Sequence, residues 1–188
     1  MSGEGIKLRI SRKKLALFSI LVLVLIAAIY FIASYKPAGE EIKTWVYDGY
    51  ELEFRADLRE ASKIQVPGED QVHDLFWNEE VKNVTIGFKR TNDMGLTGIE
   101  AFEITYKLRL AYLIAKRDVG ISAEELDSFA NSNSTRQNPF VALIPPSISN
   151  ETAIRVSENT VFISGKDSKD FDLITVKFLI IVLGIRLS

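Results

Sequence analysis

Cysteine is absent from the chain, which removes disulfides, thiolate metal sites, cysteine nucleophiles and lipid-modified cysteine anchors together. Histidine is almost absent. His73 stands alone, so histidine triads and multi-histidine metal centres have one residue to draw on. No Gly-x-Ser-x-Gly nucleophile turn occurs. The phrase closest to a phosphate loop, Ser164-Gly165-Lys166-Asp167, lacks the earlier glycine and the spacing that such a loop needs. Positive charge is also in short supply. Of the 23 basic and 25 acidic residues, five and one lie in residues 1–35, leaving 18 and 24 in residues 36–188. The resulting net of about six negative charges repels phosphate backbones, so nucleic acid is not an expected partner.

What the chain does have is one long apolar run, Leu15 to Tyr35, without a charged side chain. At about 1.5 Å per helical residue it reaches about 31 Å, matching the roughly 30 Å hydrocarbon core of a bilayer. It is apolar on every side, whereas a helix lying on a soluble core would show a polar face. Lys7, Arg9, Arg12, Lys13 and Lys14 precede it against a single acid, Glu4. Basic residues beside a first segment stay in the cytoplasm. The expected organisation is therefore a cytoplasmic basic arm over 1–14, a transmembrane signal anchor over 15–35, a linker over 36–41 and an extracytoplasmic domain over 42–188. A cleaved signal peptide fits less well, because its apolar region is about 7 to 15 residues long and Ala33-Ser34-Tyr35 offers a poor cleavage site. Three glycosylation acceptors, Asn83, Asn133 and Asn150, each two residues before a threonine, all fall in the part expected outside.

The exterior residues suffice for one domain with a real core. In residues 42–55, Asp48-Gly49 separates two strand-like runs, the strongest short-range hairpin signal. Tyr50, Leu52 and Phe54 alternate with polar residues there, which predicts one buried face. Residues 69–80 suit a short helix with acids in its first turn, and residues 83–89 alternate as a half-buried strand. Phe102, Tyr106, Leu110 and Leu113 recur at helical spacing, with Ile104, Leu108, Ala111 and Ile114 between them. This predicts a long helix over 97–117, on which Glu103 and Lys107 form an exposed i, i+4 pair. Ser122-Ala-Glu-Glu125 has the form of a capping box, predicting a short helix over 122–130. Residues 140–144 read as a strand buried on both faces near the middle of a sheet. Residues 153–157 and 160–164 form a second hairpin about Glu158-Asn159, and the apolar run beginning at Asp170 reads as a terminal core helix. That run is too short for a second membrane span and is interrupted by Lys177. The expected fold is an N-terminal transmembrane helix plus one α/β (α+β) domain, with a mixed sheet of about six strands, two β-hairpins and three to four covering helices.

Chemistry is sparse. Asp70, His73 and Asp74 share one face of the predicted helix at i, i+3 and i+4, a weak candidate set for a metal or for acid–base work. The bland reading is a solvated helix face. Glu40-Glu41, Glu79-Glu80 and Glu124-Glu125 are paired acids of the kind glycoside hydrolysis uses, but neighbours in sequence on a helix diverge, so they read as surface charge. Trp45, Tyr47, Tyr50 and Phe54 could line a sugar or partner surface, and more often such strand aromatics fill a core. Lys107, Arg109, Lys116 and Arg117 could make a basic stripe on the long helix. No cofactor site is expected.

The phrases NVTIGF (83–88), IEAFEITYKL (99–108) and NTVFISGKDSKDFDLITVKFLIIVLGI (159–185) resemble uncharacterised single-pass, signal-anchored surface proteins of archaea. The last is also similar to the ends of some archaeal surface-layer repeats. The resembling phrases cover about a quarter of the chain and imply an anchored envelope domain without assigning any residue a role. The function expected is a membrane-anchored binding or structural module, a subunit or scaffold of a cell-envelope assembly that meets protein partners or itself. The alternatives are an envelope hydrolase using carboxylates near His73 and a small-ligand sensor or carrier. Protease added to intact cells should trim the chain to its N-terminal tip. A full-length product that survives such treatment and is freely soluble after lysis would overturn the topology.

Overall fold

The computed structural model describes residues 41–129 and 133–187. The basic arm, the apolar run of 15–35 and the linker up to residue 40 lie outside the described residues. From Glu41 onward the chain forms one compact unit. It opens with a two-stranded antiparallel hairpin, β1 (Thr44–Tyr47) and β2 (Tyr50–Glu53), in which Tyr47 pairs with Tyr50. Asp48 and Gly49 both take positive φ, 46° and 86°, the twist that a two-residue type I′ turn demands and that Asp-Gly tolerates. Helix α1 (Leu58–Ser62) follows, capped by Asp57, whose Oδ1 accepts from the amides of Arg59 and Glu60 at 2.7 and 3.0 Å. This helix of five residues is too short to show a period in the sequence. Helix α2 spans Glu69–Trp77, beginning where expected and ending three residues before residue 80.

The main sheet has five strands in the order β4-β3-β5-β7-β6. Strands β3 (Asn83–Phe88), β4 (Gly120–Glu125), β5 (Phe140–Ile144) and β7 (Thr160–Ser164) run parallel to one another. Strand β6 (Ala153–Ser157) closes one edge antiparallel to β7, through the expected turn at Glu158-Asn159. Strand β5 is central and buried along most of its length, which explains its unbroken apolar run. Val84, Ile86, Val141, Leu143, Val161 and Ile163 form the inner face of the sheet within the main core. The expectation of one six-stranded sheet is corrected to seven strands in two sheets among the described residues, because the first hairpin pairs only with itself.

The largest correction concerns residues 122–125. They are not a helix but the second half of β4, in register from Asn83 opposite Gly120 to Phe88 opposite Glu125. Helix α3 (Met94–Ile114) is the crossover between β3 and β4, and the backbone groups of β3 offer this segment a full ladder that a single helical turn cannot match. Its acids are tolerated because β4 is an edge strand exposed along most of its length.

Helix α4 (Ser168–Val182) organises the interior. Every residue from Leu173 to Val182 is buried, and the helix packs against α1, α2, α3 and strands β6 and β7. Asp167 caps it, accepting from the Asp170 amide at 2.8 Å. Among the described residues no helix is long and apolar enough to cross a membrane, which agrees with reading this terminal run as core. Lys177 inside it is accommodated by reaching Glu69 at 2.7 Å. The turn into α4 leaves no room at Gly165, where a Cβ would lie 2.5 Å from Phe171 Cα. Gly165→Ala should therefore lower unfolding free energy by about 2–3 kcal/mol, measured by denaturant titration. Gly98→Ala, at an open helical position, should be neutral or stabilising by up to about 1 kcal/mol.

Candidate functional site

Helix α3 carries two unusual faces, and both depart from the sequence reading. The inner face holds Thr97, Glu100, Ala101, Ile104, Leu108 and Ala111, so the residues that lay between the expected apolar positions are the ones that enter the core. Glu100 is fully buried among them. Around it stand Asp172 and Thr175 from α4 and Arg55 from the end of the first hairpin. Arg55 Nε lies 3.4 Å from Glu100 Oε1 and 3.7 Å from Asp172 Oδ1, too long for well-made hydrogen bonds. Both Glu100 oxygens, Asp172 Oδ1 and Thr175 Oγ1 are buried without a hydrogen-bond partner.

A proton on Glu100 resolves that arrangement. It turns one acceptor into a donor towards Asp172 and removes a charge from an apolar site. Burial first, then the hydrogen bond and charge of Asp172, push the Glu100 carboxyl up to about 9, against the opposing pull of Thr175 and Arg55. Glu100 is thus a neutral acid at ordinary pH. It is closed off from any substrate, because only Arg55 and Asp172 of this group reach solvent, with side chains 40% and 24% exposed.

One turn further along, Glu103 and Lys107 do pair, at 2.6 Å, but the lysine side chain is only 2% exposed. The expected exposed pair is a buried one. Burial pushes the Lys107 ammonium down, and Glu103 pulls it back up. Lys107 Nζ also sits 4.7 Å above the Phe54 ring, so the cation is held on one side by a carboxylate and on another by an aromatic face.

The outer face of α3 is the reverse. Ile99, Phe102, Tyr106 and Leu113 are 42%, 68%, 51% and 58% exposed, and the Phe102 and Tyr106 rings stack with centroids 6.1 Å apart. No acid shares this face, since both acids of the helix turn inward. Its one cation, Arg109, bends away to donate to Val119 O at 2.9 Å. An exposed helix face with so little charge is unusual for a monomer.

The residues singled out from sequence are more ordinary. His73 Nδ1 is 3.4 Å from Asp74 Oδ1 on its own helix and stacks on Trp77 at 6.2 Å. Asp70 lines the same shallow depression as His73, with Ile180, Ile181 and Arg186 opposite, so among the described residues no acid from another element joins them. Among the described residues no group of three metal-ligating side chains comes together. The proposed basic stripe dissolves. Lys107 is buried, Arg109 is engaged, and Arg117 caps the C-terminus of α2 by donating to the carbonyl oxygens of Trp77 and Asn78 at 3.0 and 2.6 Å. Of the hairpin aromatics, Phe54 is core, Trp45 and Tyr47 pack partly against it, and Tyr50 is exposed. Glu79 and Glu80 are exposed, as are Glu124 and Glu125 on β4, where Glu125 pairs with Arg90 at 3.2 Å. Asn133 and Asn150 are exposed outside the strands. Asn83 begins β3 and donates to Asn138 Oδ1 at 3.2 Å.

The α3 features left a trace in the sequence. Glu100 stands at core spacing with Ala101, Ile104 and Leu108, and an acid on an apolar helix face is the sign of a buried carboxyl. Apolar residues recur on both faces of the helix, and only the inner set enters the core. Comparison with protein-family models, curated proteins and solved structures finds no match to this chain.

The folded protein keeps on Glu100 a proton that the unfolded chain, with a carboxyl near 4.5, releases. The stability contributed here is therefore complete below about pH 4.5 and is lost as pH rises towards 9. Glu100→Gln keeps the shape and a permanent donor, so it should flatten the fall in stability between pH 5 and 9. At pH 8 it should stabilise by on the order of 3 kcal/mol. Denaturant titrations at the two ends of that range measure it, and identical slopes in both proteins would refute the buried proton.

Proposed function

We propose that the chain is a membrane-anchored extracytoplasmic binding module, a subunit or scaffold of a cell-envelope assembly, and that it engages protein through the outer face of α3. The observation that carries this reading is the exposure of Ile99, Phe102, Tyr106 and Leu113 in one stripe. Contiguous apolar surface of this kind is what interface cores are made of, and aromatic side chains dominate their energetics. The anchor and its orientation rest on the apolar run of 15–35 and the five basic residues before it.

The two alternatives find less support. The hydrolase reading requires His73 gathered with acids from another element, whereas among the described residues the acid that His73 pairs with is Asp74 of its own helix. The carrier reading asked for an apolar cavity with a few convergent polar groups. A depression of about 440 Å³ is instead open and largely polar, lined by Gln71, Asp74, Asn78, Arg136 and Glu158 among others.

The test uses the full chain extracted from its own membranes in mild detergent and sized beside a Phe102→Glu, Tyr106→Glu double variant. The native chain should run as a defined assembly, and the variant should lose at least about thirtyfold in association, as expected when two aromatic anchors of an interface are removed. A native chain that runs as a solitary monomer even when concentrated enough to populate a weak pairing would defeat the proposal, as would a correctly folded double variant that associates unchanged.

A further inference from the structure

We infer that the occupant of the α3 outer face is a second copy of this chain, in a two-fold pairing of α3 on α3. This inference rests on the reading of α3 as the binding face and names its partner. Ile99, Tyr106 and Leu113 are each seven residues apart, and Phe102 falls three after the first. Those are successive a positions and one d position of a heptad, the spacing with which one helix lies along another over several turns. The remaining d position is Arg109, whose guanidinium is drawn off to Val119 O, leaving its aliphatic stem beside the seam.

Charge favours a like partner here. Residues 36–188 carry a net of about six negative charges, so most approaches of one copy to another are repulsive. The outer face of α3 has no acid, because Glu100 and Glu103 are both turned inward, and two copies can meet there without opposing carboxylates. A lipid surface is the poorer match, since helices that lie in the bilayer interface flank their apolar side with lysine and arginine free to reach headgroups.

Area sets the strength. Side chains that bury about 150–250 Å² when fully covered, exposed by 42–68% in the four principal residues, supply roughly 400 Å² per copy. A stable interface takes about 800 Å² per partner. Gly98, Thr105, Leu110 and Ile114 border the stripe and extend it. The pairing is therefore modest in free solution and is strengthened when two anchors share one bilayer, which raises the effective concentration without any new contact.

The absence of cysteine makes the test direct. Tyr106 is midway between Ile99 and Leu113, so Tyr106 of one copy meets Tyr106 of the other whether the helices run parallel or antiparallel. Full-length Tyr106→Cys in native membranes should cross-link to a covalent dimer on mild oxidation or with a short bis-maleimide. Arg155→Cys, at an exposed site on β6, at the sheet edge opposite the β4 edge that α3 contacts, should remain at least tenfold less cross-linked. Adding Phe102→Glu to Tyr106→Cys should abolish the dimer. Ile99→Cys alone cross-links if the helices are parallel, and an Ile99→Cys copy joins a Leu113→Cys copy if they are antiparallel. A Tyr106→Cys adduct to a protein of different mass would overturn self-pairing while leaving α3 as the binding face. A Tyr106→Cys thiol that is fully labelled in membranes and cross-links to nothing would overturn both.

Discussion

Burial of the terminal helix on all sides is the constraint from which the rest of the domain follows. From Leu173 to Val182 α4 offers water nothing, and one sheet face could cover only half of such a cylinder. The chain therefore surrounds it with the inner face of the sheet and with α1, α2 and α3. The polar links across this shell fix its geometry. Trp77 Nε1 donates to Val182 O at 2.6 Å, closing one of the last carbonyls of α4. Tyr112 OH donates to Phe76 O at 2.7 Å, so α3 is tied to the end of α2 through a buried hydroxyl. Lys177 reaches out between α1 and α2 to Glu69 and the carbonyl oxygen of Ser62.

That shell also explains why α3 is two-sided. Its inner face has to meet α4, and at Glu100 it does so with a carboxyl opposite Asp172 rather than with a hydrocarbon. A protonated carboxyl is tolerable there, but any rearrangement that ionises it is penalised. The outer face bears no such load and still is not polar, with Phe102 the most exposed of its large apolar residues. Selection for solubility alone would have placed lysine and glutamate at those positions. In the proposed reading they are apolar because they are covered in the assembled state.

The parts legible from sequence were those with a local cause. Asp48-Gly49 specifies its turn through backbone conformation, residues 140–144 declare two-sided burial through an unbroken apolar run, and residues 168–182 are too short and too interrupted at Lys177 for a membrane. What escaped were the features decided by distant partners. Ser122-Ala-Glu-Glu125 has a helical signature that only the neighbouring strand β3 can override. Likewise, the Glu103–Lys107 spacing is the same whether the pair faces water or Phe54, so only tertiary packing could show that the cation is inside. The Glu100–Asp172–Arg55 group draws on three segments, and no window of sequence contains it.

The margins of the main sheet bear on how far any assembly can grow. Strand β4 carries Glu124 and Glu125 on one rim, and β6 carries Arg155, paired with Glu151 at 2.6 Å, on the other. Strand-to-strand zipping at the acidic rim would bring carboxylates of two molecules into register, so the sheet is a poor template for polymerisation. In the proposed pairing, contact between molecules is diverted from the hydrogen-bonding rims to a helix. If two copies pair through α3 as proposed, a self-complementary helix face satisfies itself once and then has nothing left to offer, so growth would close at a pair and would not run on into a fibre.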